Sequence, residues 1–500
     1  MERLSIEILL AIVIVLVYIY FNLTRNFNYW KKRQVPGPKP TILFGTFKNV
    51  KLGRIHLADY FKSIYDTYPN EPAVGLFAGD TPMLLVKDFE MMKDVLIKNF
   101  SRFTNRGFTV HEDIDPLGKN LVLLNYDTWK PMRKNLTPAF SRGKLKEMFY
   151  LINECTDNFA KYLESLAMKD DPVECRDLTA KFTTDVIGVC AFGLNTNSMS
   201  DDKSEFRKVG QDFLANSWTN TIRIGIRSLP YWMALILKPI ARNEKMIKFF
   251  TNILTDTMEY RKKNGIRRND FVDLLMDIKG RSDNAGEEEM TDLVLTAQAF
   301  VFFIAGFETS STTMSNAMYE LALNTEIQDK LRQEIIMTFD KNNGQLNYDL
   351  VKDMKYLDKV FKETVRKYPV IFWITREATS DHTFSDHKIS ITKGTRISIP
   401  IHAIHHDPSI YPDPDKFDPE RFDEKVIDSR PNFSYLPFGD GPRNCIGERF
   451  AYNQTKLGLA IAIKNFKFQI CGKTCKVYKK RFDNILLAPQ DGLYLNIKKV

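Results

Sequence analysis

The sequence Phe438–Gly447 (FGDGPRNCIG) runs directly into a helical pattern that begins at Glu448. One cysteine, Cys445, is therefore held beside a helix N-terminus, with glycines and Arg443 close to it in the chain. Helix N–H groups and a guanidinium both favour the thiolate over the thiol, so this sulfur is predicted to be an anionic ligand or a nucleophile. The glycines allow positive φ angles and let a flat ligand approach the backbone closely.

Several kinds of chemistry compete for Cys445. A nucleophilic cysteine needs a nearby histidine base, and a zinc site needs further cysteines at ligand spacing; this loop contains neither. An inert thiol in a tight turn is the plainest alternative. A single thiolate beneath a planar cofactor is the arrangement of haem-thiolate iron. We favour this last interpretation, a haem-thiolate site at Cys445.

The composition of the 500-residue chain indicates one large folded body. The hydrophobic fraction is 44%, with 36 phenylalanines, while glycine (24) and proline (22) are too scarce for long linkers. Disorder, collagen and coiled coil are therefore excluded as descriptions of the whole chain. The formal net charge of +9 is spread without a cationic block, which argues against nucleic acid and favours acidic partners or anionic lipid. The six scattered cysteines indicate a reducing compartment.

Residues 1–24 are predicted to form a transmembrane anchor. The run Leu4–Leu23 is long enough, as a helix, to cross one bilayer core, and its centre is unbroken apolar. A cleaved signal peptide is the alternative, but no small-x-small cleavage site follows the run. Because positive residues stay on the cytosolic side, the basic residues after the span predict that the rest of the chain faces the cytosol. These residues are Arg25, Lys31, Lys32 and Arg33.

Two further segments are predicted to be close to the membrane. Residues 25–40 form a basic, proline-rich hinge, in which Tyr29 and Trp30 are expected to lie at the membrane interface. The apolar run Leu229–Leu237 is too short to span and is predicted to dip into lipid, with burial in the core as the alternative. No second stretch of spanning length is expected beyond the hinge.

Residues 41–500 are predicted to form a single catalytic domain that is mainly α with a small β part. Apolar residues recur at helical spacing in five segments: Asp88–Asn99, Lys144–Ala167, Met246–Lys262, Thr291–Asn324 and Glu326–Phe339. Strand-like runs are few and short: Ala73–Phe77, Met83–Val86, Arg396–Ile399 and Leu493–Ile497. The segment Pro400–Asn444 is proline-rich and irregular, and ordered loops of such length are usually functional.

The loop Phe438–Gly447 resembles the haem-binding signature of the cytochromes P-450 (Phe-Gly-x-Gly-x-Arg-x-Cys-x-Gly), with every fixed position filled. Two other motifs match in the family's order. Glu363–Arg366 is the chain's single Glu-x-x-Arg, and in the family this pair interlocks with a segment that here is Phe417–Phe422, containing Arg421. Trp129-x-x-x-Arg133 places an indole and a guanidinium one helical turn apart. Taken alone, these would be a surface ion pair and an ordinary amphipathic helix.

The helix predicted from Thr291 carries Ala305–Ser310 (AGFETS), which is similar to the family's oxygen-activating segment. Five consecutive hydroxyl residues, Thr309 to Thr313, are unusual in a helix interior because they compete for backbone hydrogen bonds. We predict that Thr309 donates to the carbonyl of Ala305 and that Gly306 leaves a groove beside it. A buried helix with self-satisfied hydroxyls is the alternative.

The resemblance implies a role for each matching residue. The cofactor would be haem b (iron protoporphyrin IX), with Cys445 as the axial ligand of its iron and Phe438 packed beside the thiolate. Glu308 and Thr309, next to Gly306, would deliver protons to the oxygen site. Glu363, Arg366 and Arg421 would be structural. The donors to the haem propionates would be Trp129, Arg133, Arg376 and Arg443.

The fold, activity and location implied by the resemblance are those of a microsomal haem-thiolate monooxygenase in the endoplasmic reticulum membrane. The segments Ala305–Thr309 and Thr375–Thr379 look most like insect enzymes of family 6, which are linked to xenobiotic and hormone metabolism. A haem-thiolate isomerase or dehydratase and a non-catalytic haem sensor or carrier would use the same fold. Intact Glu308 and Thr309 argue against the isomerase.

The resemblance also implies partners. No Rossmann or flavin fingerprint occurs in the chain, so electrons are expected from an NADPH-cytochrome reductase, with cytochrome b5 as an optional donor. Lys130 and Lys134 are candidate docking charges for an acidic partner. The substrate is expected to be lipophilic, because the implied contact positions are mostly apolar. These positions are Thr109–His111, Ala305, Val370–Trp373 and Leu487–Pro489.

Overall fold

The computed structural model describes almost the whole chain: residues 2–201, 204–214, 222–223, 225–226, 229–285, 290–342, 347–482 and 486–500. The chain forms two compact units. The first consists of Met1–Gly107, Ile371–Pro412 and Arg430–Asn444, and the second of Phe108–Val370, Asp413–Ser429 and Cys445–Val500.

The first unit contains most of the β structure. A four-stranded sheet has Ala73–Ala78 at one edge, then Thr81–Val86, Arg396–Ile399 and Ile374–Glu377. Its first pair is antiparallel (Ala73 opposite Val86), its second parallel and its third antiparallel. A second, two-stranded hairpin joins His382–Phe384 to Ile389–Ile391. The helices of this unit are Glu2–Thr24, Tyr29–Lys32, Lys48–Lys51, Leu57–Thr67, Phe89–Lys93 and Ile401–His405, with shorter turns at Asp94–Lys98 and Phe100–Arg102.

The hinge is part of the folded first unit. Trp30 is only 3% exposed, and its indole N–H donates to the carbonyl of Leu76 at 2.8 Å. A Cβ on Gly75 would lie 2.4 Å from the indole, so the glycine makes room for the ring against the sheet. The hydroxyl of Tyr29 lies 3.0 Å from that of Thr392. The expectation of a place at the membrane interface is therefore wrong for Trp30, whose contacts with the sheet outweigh the general preference of aromatic residues for interfaces. Tyr29 is only partly buried, and its interfacial position stays a prediction.

The second unit is mainly helical. Its one small sheet has the order Val173–Glu174, Tyr494–Lys499, Phe466–Ile470, with antiparallel pairs. Short turns occur at Pro116–Gly118, Thr137–Phe140, Gly188–Phe192 and Pro419–Phe422. The helices are Tyr126–Leu136, Arg142–Ala167, Cys175–Ile187, Glu205–Leu214, Tyr231–Ile236, Lys238–Ala241, Glu244–Asn264, Phe271–Ala285, Asp292–Leu323, Thr325–Asp340, Tyr348–Asp353, Lys355–Lys367, Glu424–Ile427 and Glu448–Asn465.

Two helices among the described residues are long and apolar enough to cross a membrane: Ile6–Thr24, with mean hydropathy 2.5, and Asp292–Leu323, with 1.5. The expectation that no second stretch beyond the hinge could span a membrane is therefore wrong as far as length and hydropathy are concerned. None of the apolar window in the first is buried, which fits a membrane anchor, whereas 56% of the window in the second is buried. Asp292–Leu323, here called the long helix, is the core helix of the second unit. It packs against Cys175–Ile187, where the Thr179 hydroxyl donates to the carbonyl of Ser311 at 2.9 Å.

The predicted mainly α fold is confirmed, and the long predicted helices have their ends within two residues of the expected positions. The segment Asp88–Asn99 is different, because the α-helix stops at Lys93 and a wider π-turn follows over Asp94–Lys98. Short strands such as Phe466–Ile470 were not predicted. The irregular segment Pro400–Asn444 contains the buried helix Ile401–His405.

Candidate functional site

The first unit holds the glycine-rich half of the cysteine loop. Gly439 and Gly441 have φ angles of 71° and 73°, which favour glycine. Gly441 is also required sterically, since a Cβ there would lie 2.0 Å from the carbonyl oxygen of Leu96. The loop is held at its start by His405, whose Nε2 accepts a hydrogen bond from the backbone N–H of Leu436 at 3.0 Å. The turn at Gly439–Gly441 therefore packs directly against the backbone of Leu96, which only glycine allows.

Cys445 opens the part of the loop that belongs to the second unit. All six cysteines are among the described residues, and Cys445 alone is exposed. It lies just before the helix Glu448–Asn465, whose N-cap residue is Gly447. By contrast, burial raises the pKa of the Cys155 and Cys190 thiols, which keeps them protonated. Cys445 is therefore the cysteine whose position suits an anionic ligand.

Trp129 and Arg133 lie one turn apart on the helix Tyr126–Leu136 in the same unit as Cys445. Trp129 is buried, and its ring stacks on Tyr126 with centroids 6.1 Å apart. The guanidinium of Arg133 interacts electrostatically with Cys445, although burial has the larger effect and lowers the pKa of Arg133. A cation thus faces the exposed sulfur within this unit.

The first unit contains a group of three arginines, of which Arg376 and Arg443 are buried and Arg106 is partly exposed. Arg376, on the strand Ile374–Glu377, is 3% exposed, and Arg443 is 2% exposed. Arg106 donates from its guanidinium to the carbonyl of Arg443 at 3.0 Å. Burial, together with the charges of Arg106 and Arg443, lowers the pKa of Arg376 to about 9. The Nε of Arg376 is buried without a hydrogen-bond partner among the described residues, so this cluster is suited to receive an anion.

The oxygen-segment motif lies in the middle of the long helix, where three successive carbonyls accept side-chain hydrogen bonds. Thr309 donates to Ala305 at 2.6 Å, Gln454 to Gly306 at 3.3 Å, and Thr183 to Phe307 at 2.9 Å. The predicted bond from Thr309 to Ala305 is thereby confirmed. Each of these carbonyls thus accepts a hydrogen bond from a side chain, which weakens the dependence of this helical turn on backbone hydrogen bonds alone. Ala305 is exposed.

Gly306 serves the packing of two helices. A Cβ built on it would lie 2.4 Å from the Cδ1 of Ile187, which belongs to the neighbouring helix Cys175–Ile187. The space freed by the missing side chain is therefore filled by Ile187. This differs from the expectation that Gly306 leaves an open groove, and the exposed residue beside Thr309 is Ala305.

Glu308 is 3% exposed, and its carboxylate forms an ion pair with the guanidinium of Arg176. Arg176 stands in the first turn of the helix Cys175–Ile187. The pair raises the pKa of Arg176 against the opposing effect of burial, which is the larger single influence. The carboxylate next to Thr309 is consequently held at one place by a buried cation.

The Glu-x-x-Arg pair is wholly buried in the second unit. The Nε and Nη2 of Arg366 donate to the two carboxylate oxygens of Glu363 at 2.6 and 2.9 Å. The backbone N–H of Asp418 donates to the same carboxylate at 3.0 Å, and Arg421 lies 3.5 Å from it. The helix Lys355–Lys367 and the segment around Pro419–Phe422 are joined through one carboxylate.

Three contributors were missed in the sequence: Arg106, Arg176 and His405. Arg106 and Arg176 act on motif residues that are distant in the chain, and His405 acts on Leu436, just before the cysteine loop. A lone arginine or histidine outside a motif carries no sequence signal of its own. His405 lies in the segment Pro400–Asn444, which was expected to be irregular, and its ring supports the chain just before the cysteine loop.

A family model described as "Cytochrome P450" matches residues 35–496. The chain therefore belongs to the cytochrome P-450 family of haem-thiolate monooxygenases. It is 41% identical to "Probable cytochrome P450 6a20" of Drosophila melanogaster, over 97% of this chain and 98% of that protein. It is 37% identical to "Cytochrome P450 6j1" of Blattella germanica (99% and 98% covered) and to "Cytochrome P450 6A1" of Musca domestica (95% and 94%). The protein is an insect family 6 type of P-450 monooxygenase.

The residues described above fit the cofactor of this family, which is haem held by a cysteine thiolate. The second unit offers one exposed cysteine facing a cation. The first unit offers a buried arginine cluster with an unpartnered Nε, which suits the carboxylates of the haem propionates. Microsomal members of the family receive electrons from a reductase, and the exposed N-terminal helix fits a membrane anchor.

Proposed function

We propose that Cys445 is the axial haem ligand of this monooxygenase. The observation that carries the proposal is its exposure beside the N-terminus of Glu448–Asn465, in a chain whose Cys155, Cys175 and Cys190 are buried. Helix N–H groups and Arg133 favour the thiolate that iron ligation requires. Haem with such a ligand activates molecular oxygen and inserts one oxygen atom into the substrate.

Four side chains would hold the haem propionates. By the resemblance, their hydrogen-bond donors would be an indole N–H and three guanidinium groups, those of Trp129, Arg133, Arg376 and Arg443. Burial, with a smaller contribution from the charges of Arg106 and Arg443, lowers the pKa of Arg376, and charge-assisted hydrogen bonds to a carboxylate would offset both effects. The resemblance gives Phe438 the position beside the thiolate.

Thr309 and Glu308 would deliver protons where oxygen is reduced. The Thr309 hydroxyl donates to Ala305 and keeps its lone pairs available to accept from water, so it can hold a water molecule at the exposed position of Ala305. The Glu308 carboxylate belongs to the residue before Thr309 and is held in place by its ion pair with Arg176. It is the nearby group that would exchange a proton. Both residues thus supply protons without moving the helix.

The substrate is a lipophilic small molecule, of the class to which xenobiotics, insecticides, plant toxins and hormones belong. This proposal rests on the apolar residues at the positions implied by the resemblance, including Ala305 and Leu487–Pro489, and on the similarity to insect family 6 proteins. A screen of lipophilic compounds with purified reductase, in which oxygenated products are detected by mass spectrometry, would identify the preferred members of this class.

Electrons would come from NADPH-cytochrome reductase, with cytochrome b5 as a second donor, at the endoplasmic reticulum membrane. Lys130 and Lys134 are both exposed on the helix that carries Trp129 and Arg133. Their charges suit an acidic partner protein. The helix Ile6–Thr24 is long and apolar enough to cross a bilayer, and none of it is buried in the protein, as an anchor in that membrane requires.

The proton role is tested by Thr309→Val, which keeps the shape of the side chain and removes the hydroxyl. Losing one positioned proton donor typically costs roughly 10²–10⁴-fold in the step it serves. We expect haem content, the carbon monoxide spectrum and NADPH consumption to be retained, while organic product falls and hydrogen peroxide rises.

Thr309→Ser is the matched control, because it keeps the hydroxyl and should keep most of the product per NADPH. Unchanged product per NADPH in Thr309→Val would remove Thr309 from the proton path. In that case the hydroxyl serves only the helix, through its bond to Ala305.

A further inference from the structure

The chain that leads into Cys445 has little buried surface of its own. Of residues 437–444, all of which the structure describes, only Arg443 is buried. Gly439 and Gly441 lie in the same stretch, and glycine has more conformational freedom than any other residue. The path of this stretch therefore depends on contacts that come from other parts of the first unit.

One segment of the first unit, Asp94–Arg106, supplies two such contacts and is here called the brace segment. The carbonyl oxygen of Leu96 packs so closely on Gly441 that a Cβ there would lie 2.0 Å from it. Two residues further along the loop, the guanidinium of Arg106 donates to the carbonyl of Arg443 at 3.0 Å. Both contacts are made to the backbone of the loop, so the brace segment fixes the path of the chain itself.

Leu96 owes its position to a π-turn. The α-helix Phe89–Lys93 is followed by the wider turn Asp94–Lys98, in which the N–H of Asn99 donates to the carbonyl of Asp94, five residues back, at 2.8 Å. The side chain of Leu96 is 0% exposed, so the turn is packed into the core of the unit. A π-turn contains one residue more than an α-helical turn, and such turns are frequent at functional sites. A regular α-helix would direct these carbonyls differently, so the contact with the loop depends on keeping the π-turn.

His382, from the hairpin of the first unit, holds the residue that opens the π-turn. Its Nε2 lies 2.7 Å from the carboxylate of Asp94 and donates to it, because an ionised carboxylate can only accept. The other carboxylate oxygen accepts from the side-chain amide of Asn99, which closes the same turn. His382 is 8% exposed, and its ring lies edge-on to those of Phe103 and Phe384, with centroids 5.0 and 4.7 Å apart. Packing therefore fixes the imidazole that holds the turn.

We propose that His382 is a positioning residue for the thiolate of Cys445. The imidazole holds the carboxylate of Asp94, that carboxylate holds the π-turn, and the carbonyl of Leu96 in the turn holds the loop at Gly441. A cysteine sulfur displaced from the iron takes up a proton at neutral pH, since the ordinary pKa of a cysteine is about 8.5, and the thiol is a poor ligand. The proposal rests on the proposed function, in which Cys445 is the axial ligand, and adds the residue that keeps this ligand in place.

The first test measures the state of the ligand in the haem-loaded protein. His382→Leu removes the donor and keeps an apolar side chain beside the two phenylalanine rings. The spectrum of the reduced carbon monoxide complex distinguishes thiolate from thiol ligation. A hydrogen bond to a charged group is strong enough to change an equilibrium about tenfold or more. We therefore expect the ratio of thiol-ligated to thiolate-ligated protein to rise about tenfold in His382→Leu. His382→Gln, whose amide can donate in place of Nε2, should restore most of the thiolate form.

His387→Leu is the matched control. His387 lies in the turn of the same hairpin, and its Nε2 is 3.5 Å from the carboxylate of Asp88. Asp88 caps the α-helix that precedes the π-turn, so this pair joins the same two elements without holding the π-turn. His387→Leu should leave the ratio of the two ligation states unchanged. Equal ratios in His382→Leu and His387→Leu would overturn the proposal.

A second measurement separates positioning from a general loss of stability. Circular dichroism and the carbon monoxide spectrum are followed together in increasing urea. In His382→Leu the thiolate form should be lost at urea concentrations that leave the chain folded. If it is lost only where the chain unfolds, His382 is structural and the proposal is wrong. Asp94→Asn serves where His382→Leu does not fold, because it keeps the size of the side chain and weakens its bond to His382; a ratio equal to that of the parent would also refute the proposal.

Cys445→Ser separates failure of this proposal from failure of the proposed function. Persistence of the thiolate-type spectrum in Cys445→Ser would overturn the assignment of the iron ligand itself. Loss of that spectrum in Cys445→Ser, with an unchanged spectrum in His382→Leu, would refute only the positioning role of His382.

Discussion

Replacing Glu363 by alanine removes the acceptor of three hydrogen bonds from a site that water does not reach. Two of the donors belong to Arg366 and the third is the backbone N–H of Asp418. Both side chains of the ion pair are 0% exposed. The guanidinium would stay buried, with the carbonyl of Pro414 as a remaining acceptor at 2.8 Å.

The expected loss of unfolding free energy in Glu363→Ala follows from the burial of the ion pair. Removing one partner of a buried ion pair costs roughly 3–5 kcal/mol, because the other charge is left uncompensated. A domain has about 5–15 kcal/mol of unfolding free energy in total. Glu363→Ala is therefore expected to yield protein that loses haem and aggregates, or that unfolds at much lower urea concentration.

Burial also raises the pKa of Glu363, so desolvation outweighs the hydrogen bonds and charge of Arg366. The pair is thus expensive to bury, and its loss as a pair should be tolerated better than the loss of one member. Glu363→Leu combined with Arg366→Met is expected to be more stable than either single variant.

The assay is urea unfolding of purified holoenzyme, together with haem content per chain. Glu147→Ala is the matched control, because Lys144 and Glu147 form a pair at the same spacing, 2.7 Å apart, but are 44% and 46% exposed. An exposed pair of this kind contributes about 0.2–1 kcal/mol. If Glu363→Ala unfolds and binds haem like Glu147→Ala, the burial argument is refuted.

Three further outcomes are expected. Cys445→His should abolish oxygenation and leave at most a nitrogen-ligated haem spectrum; persistence of the thiolate-type carbonyl spectrum would mean that another cysteine is the ligand. Burial lowers the pKa of Arg376 to about 9 in the folded chain, below its unfolded value. Below about pH 9 the guanidinium is charged in both the folded and the unfolded state, and burying this charge reduces the stability of haem-free protein. Arg376→Met should therefore stabilise haem-free protein while weakening haem retention; equal haem retention would refute the propionate role. Deleting residues 1–24, which spares Trp30, should leave salt-insensitive membrane binding through Trp232 and Ile236, 64% and 70% exposed; full solubility without detergent would contradict this.

Local sequence was sufficient for features that depend on neighbours in the chain. The spacing in Glu363–Arg366 and in Trp129–Arg133 predicted residues on one face of a helix, and both pairs lie on helices. The bond from Thr309 to Ala305 was predictable because a hydroxyl reaches the carbonyl four residues back within one turn. The need for glycine at Gly441 followed from the motif, while the atom that requires it, the Leu96 carbonyl oxygen, did not.

Burial was beyond prediction from pattern. A Glu-x-x-Arg pair has the same spacing on a surface as in a core, and only the packing around Glu363 makes its loss costly. Trp30 is another example. An aromatic residue after an apolar span is typical of a membrane interface, but here the missing side chain of Gly75 leaves room for the indole to pack into the core. The sequence suggested an open groove beside Gly306, but in the structure the side chain of Ile187 fills that space.

By itself, the sequence determined the family, the mainly helical fold, the anchor-like N-terminal helix and the cysteine proposed as the iron ligand, because these depend on short motifs and on periodicity along the chain. Tertiary structure decided which charges meet. Arg176 came to Glu308, and Arg106 to Arg443, across more than a hundred residues of chain. Such pairings depend on how helices and strands pack, and an isolated arginine has the same local sequence signal whether it faces solvent or a buried carboxylate.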